Sequence, residues 1–348
     1  MSLLYSEVEE ELRATVRQAL AGSADPWRAL AVDIGCAGLA VPEDRGGAGA
    51  SWREVAVVAE ELGRAVAALS TATVPFLGST LATAALLAVE PTDLLAKMAS
   101  GTVTGVLVAP LSTPPGSPPP DSVSVEGAAS LTGVVAGVAD AAAADVLLVP
   151  TRDGLFAVDA ADARVVPVVS LDQTRPLCDV TFDAAPATAI GHPGAAGNAW
   201  KSALTAGAVV LASDQLGVAT WCLESTVDYV KGRYQFARPV GSFQAVKHRL
   251  AQLWVDVTQA RAVARYAVNC LAEADPDTAV AASLAQAHCG PVAVRAAEEC
   301  VQLHGGIGFT WEHPAHWYLK RAKASAIALG TAAQHRATLG TLVDLPSR

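Results

Sequence analysis

The sequence VQLHGGIGF at residues 301–309, followed by ALGT at residues 328–331, decides the fold. Glycines at 305, 306 and 308 predict a tight turn after a helical segment, because glycine accepts positive φ and lets other groups approach the backbone closely. Such glycines are also typical of a helix C-terminus. In the second segment Leu329 precedes a Gly-Thr pair, and a leucine side chain cannot accept a proton.

Around this stretch the spacing of apolar residues is helical. Residues 243–257 carry them at steps of three and four, and similar spacing continues toward Arg336. About four long helices are predicted after residue 194, enough for an antiparallel bundle. Near the N-terminus, Ser6 and Glu9 have the spacing of a capping box. Apolar residues then recur every four positions on one predicted helix face, at Val8, Leu12, Val16 and Leu20.

From residue 102 the apolar period changes toward two. Short strands are predicted at residues 103–108, 145–149, 155–158, 165–169 and 179–182. The proline-rich residues 114–120 lack amide donors and are predicted to form an extended, exposed loop. The fold class is therefore α+β and mainly α, with an N-terminal helical domain at 1–100, a small middle β domain at 101–193 and a C-terminal helical bundle at 194–348.

Composition excludes several classes of protein. A formal charge of −10 argues against nucleic-acid binding, which needs a dense basic face. No apolar run reads as a membrane span, and the N-terminus shows no targeting signal, so a cytoplasmic location is expected. The six cysteines lack CxxC pairs and are expected to be reduced, mostly buried thiols. Cys300 and His304 have no further ligand cluster, and no metal site is predicted.

Four motifs occur in an order that resembles the acyl-CoA dehydrogenase family. VPEDRGGAG at 41–49 and EELG at 60–63 are similar to its N-terminal motifs. RYQFA at 233–237, followed by FQ at 243–244, and QLHGGIG at 302–308 are similar to motifs of its C-terminal domain. The resemblance covers nearly the whole chain and implies the family's three-domain fold, with FAD as cofactor and an acyl-CoA as substrate.

The resemblance also implies which residues contact FAD. In the family, an arginine in the position of Arg233 contacts the FAD pyrophosphate of a neighbouring subunit, and a guanidinium suits that role because it presents a fixed fork of donors. The glycine turn holds the ADP part across the same subunit interface. The residues expected at FAD are Arg233, Phe236, Phe243, Gln244, Gln302, Gly305, Gly306, Gly308 and Thr331.

The catalytic base that the family implies is missing. Dehydrogenation between the α and β carbons of an acyl-CoA thioester needs a carboxylate within reach of the α-carbon. The usual glutamate position falls on Leu329 and the alternative position on Gly207, so no catalytic residue is assigned. Residues 114–120 and 137–145 also replace the loop and the tryptophan-containing strand with which family members hold their own flavin.

These departures favour one hypothesis. The chain resembles the non-catalytic subunit of heteromeric α2β2 acyl-CoA dehydrogenases that act on CoA thioesters of steroid side chains. A paralogous catalytic subunit would supply the glutamate and most of the FAD site, and an electron-transfer flavoprotein would accept the electrons. Two alternatives stay open: an active homo-oligomer with an unrecognised base such as Asp214 or Glu224, and a non-enzymatic scaffold that has lost FAD binding.

Overall fold

The computed structural model describes residues 3–127 and 129–345. The N-terminal region is helical, as expected. Its helices are α1 (Glu7–Gly22), the single turn α2 (Pro26–Arg28), α3 (Trp52–Arg64), α4 (Phe76–Leu87) and α5 (Asp93–Ala99). The capping box is confirmed, because the amide of Glu9 donates to Oγ of Ser6 over 3.3 Å. The predicted apolar face is confirmed at Val16 and Leu20, which are buried, and is wrong at Val8, whose side chain is 67% exposed.

The middle region contains two four-stranded sheets. The first has the order β1 (Gly105–Leu107), β4 (Val146–Pro150), β5 (Leu155–Asp159) and β8 (Thr188–Ile190), with β1 parallel to β4. The second has the order β2 (Val123–Glu126), β3 (Ser130–Ala139), β7 (Leu177–Pro186) and β6 (Arg164–Val168), and all its pairs are antiparallel. The sequence predicted five of these strands approximately and missed β2, β3 and β8.

Helices return in the C-terminal region. They are α6 (Ala196–Gly232), α7 (Gln244–Ala272), α8 (Thr278–His304), α9 (Ala315–Ser325) and α10 (Ala332–Leu342). The first three form the body of the bundle, and α9 and α10 together pack along α8 where a fourth long helix was expected. A short hairpin, β9 (Tyr234–Gln235) and β10 (Arg238–Pro239), connects α6 to α7.

Helix α6 is the central element of the fold. It is long and apolar enough to cross a membrane by length and composition, but 94% of its most apolar window is buried inside the protein, so it is a core helix. It crosses α3 closely: a Cβ on Gly217 would lie 2.0 Å from the carbonyl oxygen of Glu60, and one on Gly63 would lie 2.0 Å from that of Asp214. The EELG motif is therefore explained by a close helix crossing.

Two loops of the N-terminal half of the chain have structural roles. In the glycine turn at 41–49, the guanidinium of Arg45 donates to the carbonyl oxygens of Leu86, Leu87 and Val89 and so satisfies the C-terminus of α4. The proline-rich loop at 114–120 is mostly half-buried, which corrects the expectation of an exposed loop. Pro114 packs against Gly330, and the indole of Trp200 donates to the carbonyl oxygen of Ser117 over 2.8 Å.

All six cysteines are free and buried, as expected.

Candidate functional site

The C-termini of α6 and α8 meet at one end of the helical bundle. The ring of Tyr229, near the end of α6, stacks on that of His304, the last residue of α8, with 4.3 Å between centroids. The hairpin that carries Arg233 and the glycine turn at 305–308 follow these two residues directly. The structure thus brings together two segments that are far apart in sequence and that were both expected to contact the ADP part of FAD.

Arg233 lies at the base of the hairpin with an exposed side chain. Among the described residues, no ion pair or side-chain hydrogen bond engages its guanidinium. Phe236 at the hairpin tip is 88% exposed, and its ring makes an edge-to-face contact with that of Phe243. Phe236 and Ala237 take the left-handed conformation, with φ of 53° and 59°. An alanine replaces the family's glycine at a position where glycine would be unstrained.

Gln244 is the first residue of α7, and Phe243 before it provides no side-chain cap for the helix. The first amides of this long helix therefore have no side-chain cap, and the guanidinium of Arg238 lies 3.9 Å from the ring centroid of Phe243 at the helix start. Free helical amides and a nearby guanidinium are the groups that bind phosphate oxygens. This end of the bundle can hold an anion.

The glycine turn presents open backbone. Gly305 has φ 62° and ψ −138°, a conformation available essentially to glycine alone. A Cβ built on Gly305 or Gly306 would meet no atom within 4 Å, so the space above them is free for another molecule. Gly308 has a different role, because a Cβ there would lie 2.6 Å from the carbonyl oxygen of Val301. Gln302 is exposed on the last turn of α8.

The exposed end of the bundle is rich in aromatic rings. Phe309 is 89% exposed and Trp311 is 79% exposed. The Nζ atom of Lys320 lies 4.6 Å from the ring centroid of Trp311. Trp317, in contrast, is half-buried and packs against the core of the bundle.

Leu329 and Gly207 lie side by side. Cδ1 of Leu329 is 3.1 Å from where a Cβ of Gly207 would be, and Cδ2 of Leu81 is only 2.3 Å from it. The amide of Leu329 donates to the carbonyl oxygen of Leu111 over 2.6 Å, which pins this segment to the loop after β1. Both positions expected for a base thus face one aliphatic cluster.

Thr331 lies apart from the other expected FAD residues. Its hydroxyl accepts from the amide of Gln334 and caps α10. The chain just before it packs against the middle of α8, where Ala326 lies beside Gly290. Fourteen helical residues separate Gly290 from His304, which corresponds to roughly 20 Å along α8. Thr331 and Arg233 therefore lie at different faces of the molecule.

Asp214, an alternative base, lies inside a buried ionic network. It lies in the middle of α6, which continues through it. Its carboxylate contacts Arg321 at 2.9 Å and Arg175 at 3.3 Å. Burial alone raises the pKa of Asp214, but the two guanidinium groups outweigh this and lower it below its ordinary value. A carboxylate so paired is a poor proton acceptor.

The network extends across the junction of the domains. Arg321 also contacts Asp172, at 3.2 Å, and the buried Asp140 accepts from the amide of Gly78 on α4 over 2.9 Å. Burial raises the pKa of Asp140. Burial also lowers the pKa of Arg321, but Asp214 and Asp172 more than offset this and raise it. The other alternative base, Glu224, is a surface residue paired with Arg64 at 2.6 Å.

Comparisons with known proteins agree with this geometry. Models of the acyl-CoA dehydrogenase N-terminal and C-terminal domains match residues 5–102 and 197–342. The chain belongs to the acyl-CoA dehydrogenase family. It is 38% identical to acyl-CoA dehydrogenase IpdE2 of Mycobacterium tuberculosis over 303 residues, which cover 86% of this chain and 80% of that protein. The IpdE2 of Mycolicibacterium smegmatis is 36% identical over 321 residues, 92% of this chain and 88% of that protein.

Solved structures of the family share the whole fold. A chain of the Tcur3481-Tcur3483 steroid ACAD, G363A variant, superimposes with a TM-score of 0.81 at 30% identity and covers 97% of this chain and 98% of its own length. A chain of the ChsE4-ChsE5 complex from Mycobacterium tuberculosis superimposes with a TM-score of 0.83 at 26% identity, with both chains fully covered.

This acyl-CoA dehydrogenase chain has two surfaces that could contact FAD, the bundle end and the cavity between the β domain and α9, and they offer different groups. The bundle end fits: it offers an unpaired arginine, free helical amides and glycines with open space above them. In the cavity between the β domain and α9, the amide of Leu111 donates to the carbonyl of Gly137, and the amide of Gly137 donates to Asp179, both over 3.0 Å. These two amides are already used within the chain.

Sequence reasoning missed the ionic network. Asp140, the pair Asp172 and Arg175, and Arg321 come from three separate segments, and nothing in the spacing of these segments connects them. The cationic run at 320–323, which contains Arg321, is a sequence signal that could have pointed to the network.

Proposed function

We propose that this chain is the non-catalytic subunit of a heteromeric acyl-CoA dehydrogenase. In this proposal a paralogous subunit binds FAD and supplies the base, and this chain completes the FAD site from across the interface. The observation that carries the proposal is the aliphatic contact between Leu329 and Gly207. The two positions where the family resemblance places a carboxylate pack on each other and on Leu81, with no acid between them.

The exposed bundle end supports the second half of the proposal. Arg233 and the amides at the start of α7 would hold the pyrophosphate of the partner's FAD, and Gln302, Gly305 and Gly306 would lie along its ADP part. When bound, FAD accepts the hydride that leaves the β-carbon of the acyl-CoA. This chain's residues do not touch that carbon; they bind and orient the cofactor.

The relatives support an assembly of two different chains. Two solved neighbours, the Tcur3481-Tcur3483 steroid ACAD and the ChsE4-ChsE5 complex, are each named for two proteins. We accordingly propose a CoA thioester with a steroid side chain as substrate class, an electron-transfer flavoprotein as acceptor and the cytoplasm as location. The active homo-oligomer is disfavoured because Asp214 is held by two arginines and Glu224 lies on the surface.

The test is co-expression with a paralogous acyl-CoA dehydrogenase from the same organism. The chain alone should be colourless, and the purified complex should show the absorption spectrum of bound flavin and dehydrogenate an acyl-CoA. A yellow chain that dehydrogenates acyl-CoA without a partner would refute the proposal.

The role of Arg233 is tested in the same complex. Arg233→Ala should weaken FAD binding by about tenfold or more, because a charge-assisted bond to phosphate contributes roughly 1.5–3 kcal/mol. Arg233→Lys should recover part of the loss, and Lys231→Ala, which removes a neighbouring exposed cation, should have little effect. Equal FAD affinity in all four complexes would contradict the role assigned to Arg233.

A further inference from the structure

Asp140 is a buried acid at the junction between the β domain and the N-terminal helices. It follows β3 in the left-handed conformation, with φ of 64°, and is 1% exposed. Its backbone amide donates to the carbonyl oxygen of Pro176, which fixes this turn within the β domain. Its side chain lies against the first turn of α4, where Oδ2 accepts from the amide of Gly78 over 2.9 Å.

The glycine at position 78 lets α4 approach this carboxyl group closely. A Cβ built on Gly78 would lie 3.1 Å from Cβ of Asp140 and 3.2 Å from its Oδ2 atom. Pro75, which precedes α4, provides no side-chain cap for the helix. Asp140 therefore satisfies an amide in the first turn of α4 from a different domain, and this hydrogen bond joins the two domains.

The other buried charges of the junction are already paired with one another. Arg321 contacts Asp172 at 3.2 Å and Asp214 at 2.9 Å, and Arg175 contacts Asp214 at 3.3 Å. Two guanidinium groups thus balance two carboxylates. Asp140 takes part in no ion pair with the residues that the structure describes. An ionised Asp140 would be a third buried negative charge without a matching cation.

Opposing effects act on the charge of Asp140, and burial is the largest. The amide of Gly78 and the two guanidinium groups favour the ionised carboxylate. Burial favours the neutral acid, the charge of Asp172 adds to this effect, and the pKa of Asp140 is raised. The physical reason is that one backbone hydrogen bond does not replace the water that a carboxylate loses on burial.

The groups that face Asp140 leave it as the place for a proton. Helix α4 contains no titratable residue and contributes only the amide of Gly78. The charged or titratable groups on the other elements of the junction are Asp172, Arg175 and Cys178 of the β domain, Asp214 of α6 and Arg321 of α9. Burial raises the pKa of the Cys178 thiol, so this group stays neutral, and the two arginines keep Asp214 ionised.

We propose that Asp140 carries a proton at neutral pH and acts as a proton-linked clamp between the β domain and α4. In this state the neutral acid accepts from the amide of Gly78, and the junction holds two cations against two anions. Loss of the proton would leave an uncompensated negative charge in the buried junction and weaken the contact between the domains. The clamp needs neither FAD nor a partner chain, so this proposal stands or falls separately from the proposed subunit role.

The test compares urea denaturation of the full-length chain with that of Asp140→Asn, which keeps a neutral group of the same shape. Because the folded pKa of Asp140 lies above its unfolded value of about 3.9, its stabilisation is complete below that pH and is lost as pH rises through the folded pKa. The unfolding equilibrium constant of the original chain, divided by that of Asp140→Asn, should therefore rise by about tenfold per pH unit between pH 5 and pH 7. Asp183→Asn removes an exposed carboxylate from the same domain, and the corresponding ratio should stay constant.

An infrared measurement on the original chain keeps the result clear if Asp140→Asn folds poorly. The spectrum of the folded chain at pH 7 should contain the carbonyl band of a protonated carboxylic acid. Isotopic labelling of the aspartate carboxyl carbons should shift this band, which assigns it to an aspartic acid. The proposal is overturned if the band is absent, or if the ratio for Asp140→Asn stays constant from pH 5 to pH 7.

Discussion

At the scale of single residues, the surroundings of Asp214 and Leu329 decide their chemistry. Asp214 is an acid that serves structure, because two buried guanidinium groups hold it ionised. Leu329 stands where the family resemblance places an acid, and its buried side chain belongs to an aliphatic cluster. The residue type alone was enough to predict that position 329 lacks the carboxylate of a catalytic base. It could not predict the partners of Asp214, because Arg175 and Arg321 come from distant segments.

Leu329→Glu should destabilise the chain and should not create a dehydrogenase. Urea denaturation at pH 7 should show a loss of roughly 3 kcal/mol or more in the free energy of unfolding, since an ionised carboxylate would be buried in an aliphatic cluster. Burial raises the pKa of such a group, so the loss should shrink as pH falls toward about 4.3, the pKa of an unfolded glutamate.

Leu329→Met conserves the side-chain volume and should lower the free energy of unfolding by less than about 1.5 kcal/mol. The comparison separates the effect of packing from the effect of the charge. Dehydrogenation of an acyl-CoA by the isolated Leu329→Glu chain would show that a flavin and a substrate already reach this point.

Asp214→Asn should be among the most destabilising conservative substitutions in the chain. It leaves Arg175 and Arg321 buried without their shared carboxylate, and breaking a buried pair in this way costs roughly 3–5 kcal/mol. Because the folded pKa of Asp214 lies below its unfolded value near 3.9, its stabilisation is complete above that pH and is lost as pH falls through the folded pKa.

Denaturation at pH 7 and at pH 3 checks both parts of this prediction. The difference in unfolding free energy between the original chain and Asp214→Asn should be large at pH 7 and smaller at pH 3. A difference that stays constant across this range would mean that the carboxylate charge is not what holds the network.

At the scale of elements, the periodicity of apolar residues predicts the helices well and the strands less well. The apolar spacing in 243–257 predicted α7, since a surface helix shows its buried face in the sequence. Strand β3 was missed because Gly133 and Gly137 interrupt its alternation. Gly133 is needed there: a Cβ would lie 2.1 Å from the carbonyl oxygen of Ser122. The loop at 114–120 was misjudged because proline content does not show that Pro114 would pack on Gly330.

The crossing of α3 and α6 should be sensitive to a single methyl group. In Gly217→Ala the new Cβ would lie 2.0 Å from the carbonyl oxygen of Glu60, so the two helices must separate. We expect thermal unfolding to show a loss of about 1–3 kcal/mol, the usual cost of overpacking. Gly197→Ala lies in the first turn of the same helix with no atom within 4 Å, and it should be neutral or stabilising by up to about 1 kcal/mol. Equal stability of the two variants would contradict the close crossing.

At the scale of the whole molecule, the residues expected at FAD fall into two groups. Arg233 and the glycine turn lie at the bundle end, and Thr331 follows a segment that packs against the middle of α8. Roughly 20 Å of α8 separates the bundle end from the segment that leads to Thr331. The proposed function uses only the first group, from which this chain would contribute to a cofactor held by its neighbour.

The exposed aromatic residues at the bundle end should make the stability of this chain depend on its partner. Any molecule that binds the folded chain alone stabilises it by mass action, so the unfolding temperature should rise with partner concentration. Trp311→Ser should weaken the complex by about tenfold or more, because exposed aromatic anchors dominate protein interfaces. Val8→Ser removes an apolar side chain that is also well exposed, on α1, and serves as the control. Calorimetric titration of the partner against the three chains measures the affinities. If Trp311→Ser and Val8→Ser bind the partner equally well, the bundle end is not the interface.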